Sequence, residues 1–330
     1  KGKYLSLART RLGYHEFGLA VLGLIFYGGL RNYRVPAVIV IVIVAAVALR
    51  GVRGVASRIQ GIAILRLALA LLVFVLLFIF TFVAEKISRF DANNLRIDTK
   101  LMFTSPNKEF WFGTDNLGRD YWSQVWSATR TSILLSVSVS LGQIFVGVCI
   151  GLVWGYVRKL DRFFTELYNF IDNIPTIIYM TLIALMIGKS TLIMGIAMVA
   201  FYWLGTARNV RNLVFMYRDR EYNLASRCLG TPLMRILGRN IFPYLVSVII
   251  LRLALSIPGI IAYETTLSYL GLGLGIDTPS LGLLLSKVRG FFLDYPYLLV
   301  FPASIVSIIS ISFYIMGNAL SDAADPRNHV

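Results

Sequence analysis

Long apolar runs alternate with short polar, mostly basic segments along the chain. A helix rises about 1.5 Å per residue and the hydrocarbon core of a bilayer is about 30 Å thick, so runs of about 20 apolar residues predict membrane-crossing helices. Six such runs form a main body: residues 62–84, 133–157, 170–187, 191–204, 244–263 and 297–316. Arg66 lies close enough to the end of the first run to snorkel. The fourth run is short, and Gly205 to Ala207 extend it before Arg208 ends it. Two shorter runs, 17–30 and 35–49, precede the body and are joined by Arg31-Asn-Tyr-Arg34. They predict a crossing hairpin or an interfacial pair. Crossing is preferred, because a re-entrant tip would bury both arginines in hydrocarbon at a cost of several kcal/mol. The expected fold is an all-α polytopic membrane protein in two parts: an N-terminal basic segment with its hydrophobic hairpin, residues 1–59, and a six-span transmembrane body, residues 60–330.

Charge sets the orientation. Arg50, Arg53 and Arg58 precede the first body span, Arg158, Lys159 and Arg162 follow the second, and residues 208–240 carry seven arginines. Placing these segments and both termini in the cytoplasm satisfies the bias of Lys and Arg toward that side, and a hairpin adds an even number of crossings. Residues 85–130 and 264–296, of mixed charge, then face outward. Within the first of these, Trp111, Tyr121, Trp122 and Trp126 predict an amphipathic helix at the outer interface.

Composition agrees with a membrane protein, since 57% of residues are hydrophobic and 15% charged, with a mean hydropathy of +0.71. The net charge of +15 belongs to the loops between apolar runs. No basic patch is interleaved with aromatics, so nucleic acid is not an expected partner. Cys149 and Cys228 lie in unlike settings without metal-ligand spacing, and His15 and His329 stand near opposite ends, so neither a disulfide nor a metal site is expected. The opening Lys-Gly-Lys-Tyr reads as lacking a cleavable signal peptide.

Two strings imitate nucleotide motifs. Gly188-Lys-Ser190 ends like a P-loop, but Ile183 occupies the position of its first glycine and the tripeptide joins two apolar runs. In Gly271-Leu-Gly-Leu-Gly275, Ile276 stands where a dinucleotide fingerprint needs its third glycine. No span carries a series of carboxylates that would relay protons. The chain therefore shows no energy source of its own and no cofactor site.

The basic island is the most informative stretch. Residues 219–229 have helical character, and Gly230-Thr-Pro232 supplies a stop and a restart. Such a helix and turn can present Leu224, Ala225 and Leu229 to a groove of a soluble partner, with Arg220 and Arg227 at the rim and Ser226 permitting close approach. The alternative is an interfacial loop whose arginines bind lipid headgroups.

The island resembles the EAA loop of ABC-importer permeases, whose pattern is Glu-Ala-Ala, three residues, Gly, and a distal Ile-x-Leu-Pro. Here it reads Leu224-Ala225-Ser226, Gly230, and Asn240-Ile241-Phe242-Pro243. The spacing of glycine and proline is kept, the leading glutamate is replaced by Leu224, and Glu221 lies nearby. Three further strings are similar to the C-type permease subunit of oligopeptide and dipeptide importers. They are Phe112-Gly-Thr-Asp115-Asn-Leu-Gly-Arg-Asp120, Glu264-Thr-Thr-Leu-Ser-Tyr-Leu-Gly-Leu-Gly273 followed by Pro279-Ser-Leu-Gly282, and Asp322-Ala-Ala-Asp-Pro-Arg327. The resemblance runs from Phe112 to Arg327 and leaves out the N-terminal hairpin.

The resemblance implies a six-span type I importer body in the bacterial plasma membrane, surrounded by membrane lipid. It implies pairing with a homologous B-type permease subunit, two cytoplasmic ATPase subunits that bind ATP and Mg, and an external peptide-binding protein. The expected coupling loop is residues 208–243, with Arg220, Glu221, Leu224, Ala225, Ser226, Leu229, Gly230, Pro232 and Pro243 as its working residues. Glu264, Ser268, Gly271 and Gly273 mark a candidate outer gate or substrate path, although Glu264 could instead pair with Lys287 or Arg289. A nickel-importer permease of the same subfamily shares these motifs. A non-transporting scaffold or a self-sufficient channel is the rival from another class, and the scarcity of recurring polar positions in the spans speaks against a channel.

Overall fold

The computed structural model describes residues 60–87, 99–275 and 278–324. The chain divides into two units, Lys1–Arg53 and Gly54–Val330, and every described residue belongs to the second. The expected hairpin runs, and residues 325–327 of the C-terminal motif, lie outside the described residues.

Among the described residues helices dominate and no strand forms. The elements are α1 (Gln60–Ile87), a 3-10 turn (Thr99–Leu101), α2 (Tyr121–Tyr156), α3 (Arg158–Asp172), α4 (Thr176–Met186), α5 (Thr191–Arg218) and α6 (Glu221–Cys228). A one-turn helix (Leu233–Arg235) and a π-helical turn (Ile236–Ile241) then lead into α7 (Phe242–Tyr269), followed by α8 (Leu281–Val288) and α9 (Tyr297–Ala324). Among the described residues four helical stretches are long and apolar enough to cross a membrane: Tyr121–Tyr156, Thr191–Arg218, Leu233–Tyr269 and Tyr297–Leu320. Helix α1 covers the first expected span and carries the shorter apolar stretch Ala68–Ala84.

The expected span 170–187 is not one straight helix. Its first residues belong to α3, and α4 leaves α3 at 74°. Pro175 explains the break, because it lacks an N–H and pushes the preceding residue out of the helical region. The pair counts as a fifth span only if the bent unit crosses as a whole. The aromatic segment also differs from expectation. Tyr121, Trp122 and Trp126 are not on a separate interfacial helix but open the long α2, where they are buried, while Trp111 before it stays 46% exposed.

Helices α2 and α5 form the most extensive pair. Gly147, Gly151 and Gly155 recur every four residues on α2 and so share one face. A β-carbon on Gly151 would sit 2.6 Å from the Ala207 carbonyl oxygen, and one on Gly155 2.8 Å from that of Arg211. The backbones therefore meet directly, as small residues allow in membrane helices. Two apolar clusters flank this seam. One gathers Leu135, Val139, Met180, Met194, Met198, Ile260 and Leu267; the other gathers Ile144, Val148, Val210, Val214, Ile236, Ile241 and Leu245. The second cluster carries α7 and the π-helical turn, so the basic island is mounted on the α2–α5 seam.

Candidate functional site

The island forms a braced helix and turn at one end of the bundle. Arg211 donates from Nε to Asp161 Oδ1 at 2.7 Å, and Trp154 Nε1 donates to the same oxygen at 3.0 Å, tying α5, α3 and α2 together. At the end of α5, Asp219 accepts from Arg218 at 3.1 Å and pairs with Arg158 and Arg227 at 3.7 and 3.5 Å. The hydrogen bond from Arg218, reinforced by the charges of Arg158 and Arg227, holds its carboxyl below the usual carboxylate range. Arg227 turns inward as well, donating to the Tyr156 hydroxyl at 2.9 Å and the Arg218 carbonyl at 2.7 Å. Both arginines expected at the rim are exposed, and Arg227 is in addition held by these bonds to the bundle.

Helix α6 is held by an asparagine pair that sequence reasoning did not single out. Asn223 is fully buried and donates to the Tyr217 carbonyl at 2.8 Å. Asn240, from the π-helical turn, donates to Asn223 Oδ1 at 3.0 Å and to the Ser226 hydroxyl at 3.2 Å. With this inner edge fixed, the outer edge is bare: Leu224 is 45% exposed, Leu229 85% and Met234 72%, and Glu221 and Ala225 are exposed beside them. Met234 lies beyond the pattern that drew attention to Leu224 and Leu229, in the one-turn helix that follows the Gly230 turn.

That turn is a Schellman closure. Gly230 has φ +73°; its N–H donates to the Arg227 carbonyl and that of Thr231 to the Ser226 carbonyl, at 2.9 and 3.0 Å. Pro232 then caps the next helical turn, where its missing N–H costs nothing. Pro243 sits in the first turn of α7 for the same reason.

At the opposite end of α7, Glu264 is 2% exposed. It accepts from the Ser268 and Ser280 hydroxyls, both at 2.7 Å, and makes no ion pair with Lys287 or Arg289 among the described residues. Its second carboxylate oxygen faces Gly282, where an added β-carbon would come within 2.5 Å. The carboxylate thus pins the start of α8 to α7, and Ser280 also caps α8 through the Leu283 N–H at 3.1 Å. Gly271, at φ +75°, ends α7 by the same Schellman pattern, donating to Ser268 while Leu272 donates to Leu267. Gly273 folds back against Ser268. Lys189 locks this turn from the α4–α5 loop: its ammonium donates to the Gly271 carbonyl at 2.6 Å and its carbonyl accepts from Gly275 at 2.9 Å.

The motif at residues 112–120 lies at this same end and is a structural knot. Asp115 accepts from the Leu117 and Arg119 N–H groups at 2.9 Å, binds the Arg119 guanidinium at 2.6 Å, and accepts from Gln124 at 3.1 Å. Asp120 caps α2 through the Ser123 N–H at 3.0 Å. Tyr121 and Tyr297 fasten the knot to α9, donating to the Leu298 and Thr114 carbonyls at 2.6 and 2.9 Å.

Comparison with known proteins places this architecture. Residues 147–330 match the model of the family described as binding-protein-dependent transport system inner membrane component. The chain is 38% identical over 259 residues to the oligopeptide transport system permease protein AmiD of Streptococcus pneumoniae, covering 78% of this chain and 84% of that one. It is 32% identical to the oligopeptide permease OppC of Bacillus subtilis over 78% of this chain and 84% of the relative. With the dipeptide permease DppC of Lactococcus lactis subsp. cremoris it shares 33% identity over 67% of this chain and 65% of the relative.

Proposed function

Because the chain belongs to the family of binding-protein-dependent transport system inner membrane components, we propose that it is a permease subunit of an ATP-driven importer of oligopeptides or dipeptides in the bacterial plasma membrane. The observation that carries this reading is the 38% identity to an oligopeptide permease over most of both chains. The chain forms half of the translocation path with a homologous permease, receives cargo from an external peptide-binding protein, and binds no cofactor. ATP and Mg belong to two partner ATPases. The body is residues 60–330, with residues 1–59 as an accessory segment.

The coupling surface is the exposed edge of α6 and its turn. Leu224, Ala225, Leu229 and Met234 enter an apolar groove of an ATPase, Arg220 and Glu221 rim it, and Ser226, Gly230, Pro232 and Pro243 hold its shape. A rigid mount supports this role, because a lever transmits displacement only if it does not deform, and rocking of packed helices is a common route to alternating access. The island end is cytoplasmic on this reading, as are both termini. Glu264, Ser268, Gly271 and Gly273 frame the outer gate, where the buried carboxylate fixes the gate's shape.

The test is uptake by vesicles containing the whole complex, with labelled oligopeptide compared against labelled nickel. Peptide should accumulate only with ATP on the ATPase side. Nickel accumulation without peptide accumulation would overturn the assignment.

A further inference from the structure

Helix α7 carries a charge that neither the coupling surface nor the gate uses. Arg252 lies within the apolar stretch Leu233–Tyr269, about 15 Å along the helix from Phe242 and about 25 Å from Tyr269. It is half-buried, and among the described residues no carboxylate pairs with it and no acceptor takes its hydrogen bonds. The nearest acid on its own helix, Glu264, is about 18 Å further along and is held by Ser268 and Ser280.

The face on which Arg252 stands is defined by what α7 buries. Leu245, Ala254, Ile257, Ile260, Ile261, Glu264 and Leu267 turn into the bundle. Val248, Leu255, Gly259, Ala262 and Thr266 form the exposed stripe, and Arg252 falls in it, four residues after Val248 and three before Leu255. Nothing lies within 4 Å of where a Gly259 β-carbon would be. A guanidinium stays charged at any accessible pH, and a charge at mid-membrane depth is tolerated only against water, protein or a counter-charge. The stripe therefore does not face lipid.

We propose that Arg252 is a cargo-binding residue of the translocation path and takes the C-terminal carboxylate of the peptide being moved. The proposal rests on the peptide-importer reading above. A planar fork of donors matches a carboxylate in two parallel hydrogen bonds. Every linear peptide carries that group whatever its side chains, so one arginine grips varied cargo without selecting sequence. The absence of a side chain at Gly259, two turns along the stripe, leaves room for a peptide main chain beside the helix. A carboxylate on the second permease would offer the same chemistry from another source, and the test separates the two.

The assembled complex, with its binding protein, is reconstituted as wild type, Arg252→Lys and Arg252→Gln. Each is given one labelled peptide with a free C-terminus and its C-terminal amide, at saturating concentration. The binding protein is common to all, so its own preference cancels when acid-to-amide uptake ratios are compared between variants. Arg252→Gln should lower uptake of the acid about tenfold, as loss of a charged hydrogen-bonded pair does, and leave the amide unchanged. Arg252→Lys should fall between. Retained amide uptake also shows that the variant assembles. Equal loss of both peptides in both variants assigns Arg252 to the partner permease and overturns the proposal, as does an unchanged ratio. A wild-type complex that moves neither peptide refutes the importer reading itself, and the proposal with it.

Discussion

Gly230 shows how one backbone angle supports a surface. Its surroundings are open, so a larger side chain there meets no neighbour. The left-handed φ of +73° would instead cost a branched residue about 1–2 kcal/mol. Gly230→Val should therefore let the turn unwind and change how α6 and its turn present Leu229 and Met234, while the spans still assemble. ATP-driven uptake should drop about tenfold, the effect of about 1.4 kcal/mol on an equilibrium. Parallel assays of uptake and ATPase stimulation check this, and normal values for both would show that the turn's shape is dispensable. Asp219 permits a pH test. Its folded carboxyl is lowered by Arg218, Arg158 and Arg227, so its stabilisation is complete above the ordinary carboxylate value and is lost as pH falls through the depressed one. Because Asp219 is 45% exposed, Asp219→Asn should cost less than about 1 kcal/mol at neutral pH. Melting temperatures of variant and wild type should converge in acid; a gap that widens there would contradict the ion-pair account.

At the scale of elements, the α2–α5 seam depends on absent side chains. Gly151→Leu would drive a branched group into the Ala207 backbone and Val210, and overpacking of this kind costs about 1–3 kcal/mol or more. Gly205→Ala, on α5 with nothing within 4 Å, should be neutral or stabilising by up to about 1 kcal/mol. Thermal melting of the detergent-solubilised complex distinguishes them, and equal behaviour would mean the helices do not touch at this seam. The seam was hard to foresee, since glycines every four residues look like any other small residues in an apolar run. The apolar run lengths did carry the helices of Tyr121–Tyr156, Thr191–Arg218, Leu233–Tyr269 and Tyr297–Leu320. Hydropathy alone passed over Pro175, because one residue barely alters an average yet breaks a helix. The helix, stop and restart at Gly230-Thr-Pro232 were legible because glycine and proline have strong local preferences. Asn223 with Asn240, and Glu264 with Ser280, were not, because each pair joins different elements and only the fold brings its members together.

In the whole molecule, the supports centre on one continuous block of the chain. The seam, the mount of α6 and the pinned turn after α7 are all built from residues 121–284, and α9 joins through Tyr121 and Tyr297. The strings that resemble those of peptide permeases begin at Phe112. Deleting residues 1–49 should therefore leave ATP-driven peptide uptake within about threefold of wild type, a loss under about 1 kcal/mol in transition-state terms. The deletion must be shown to insert and to copurify with the second permease and the ATPases. If it does both and still transports nothing, the N-terminal segment is part of the transport unit and the division at residue 60 is wrong.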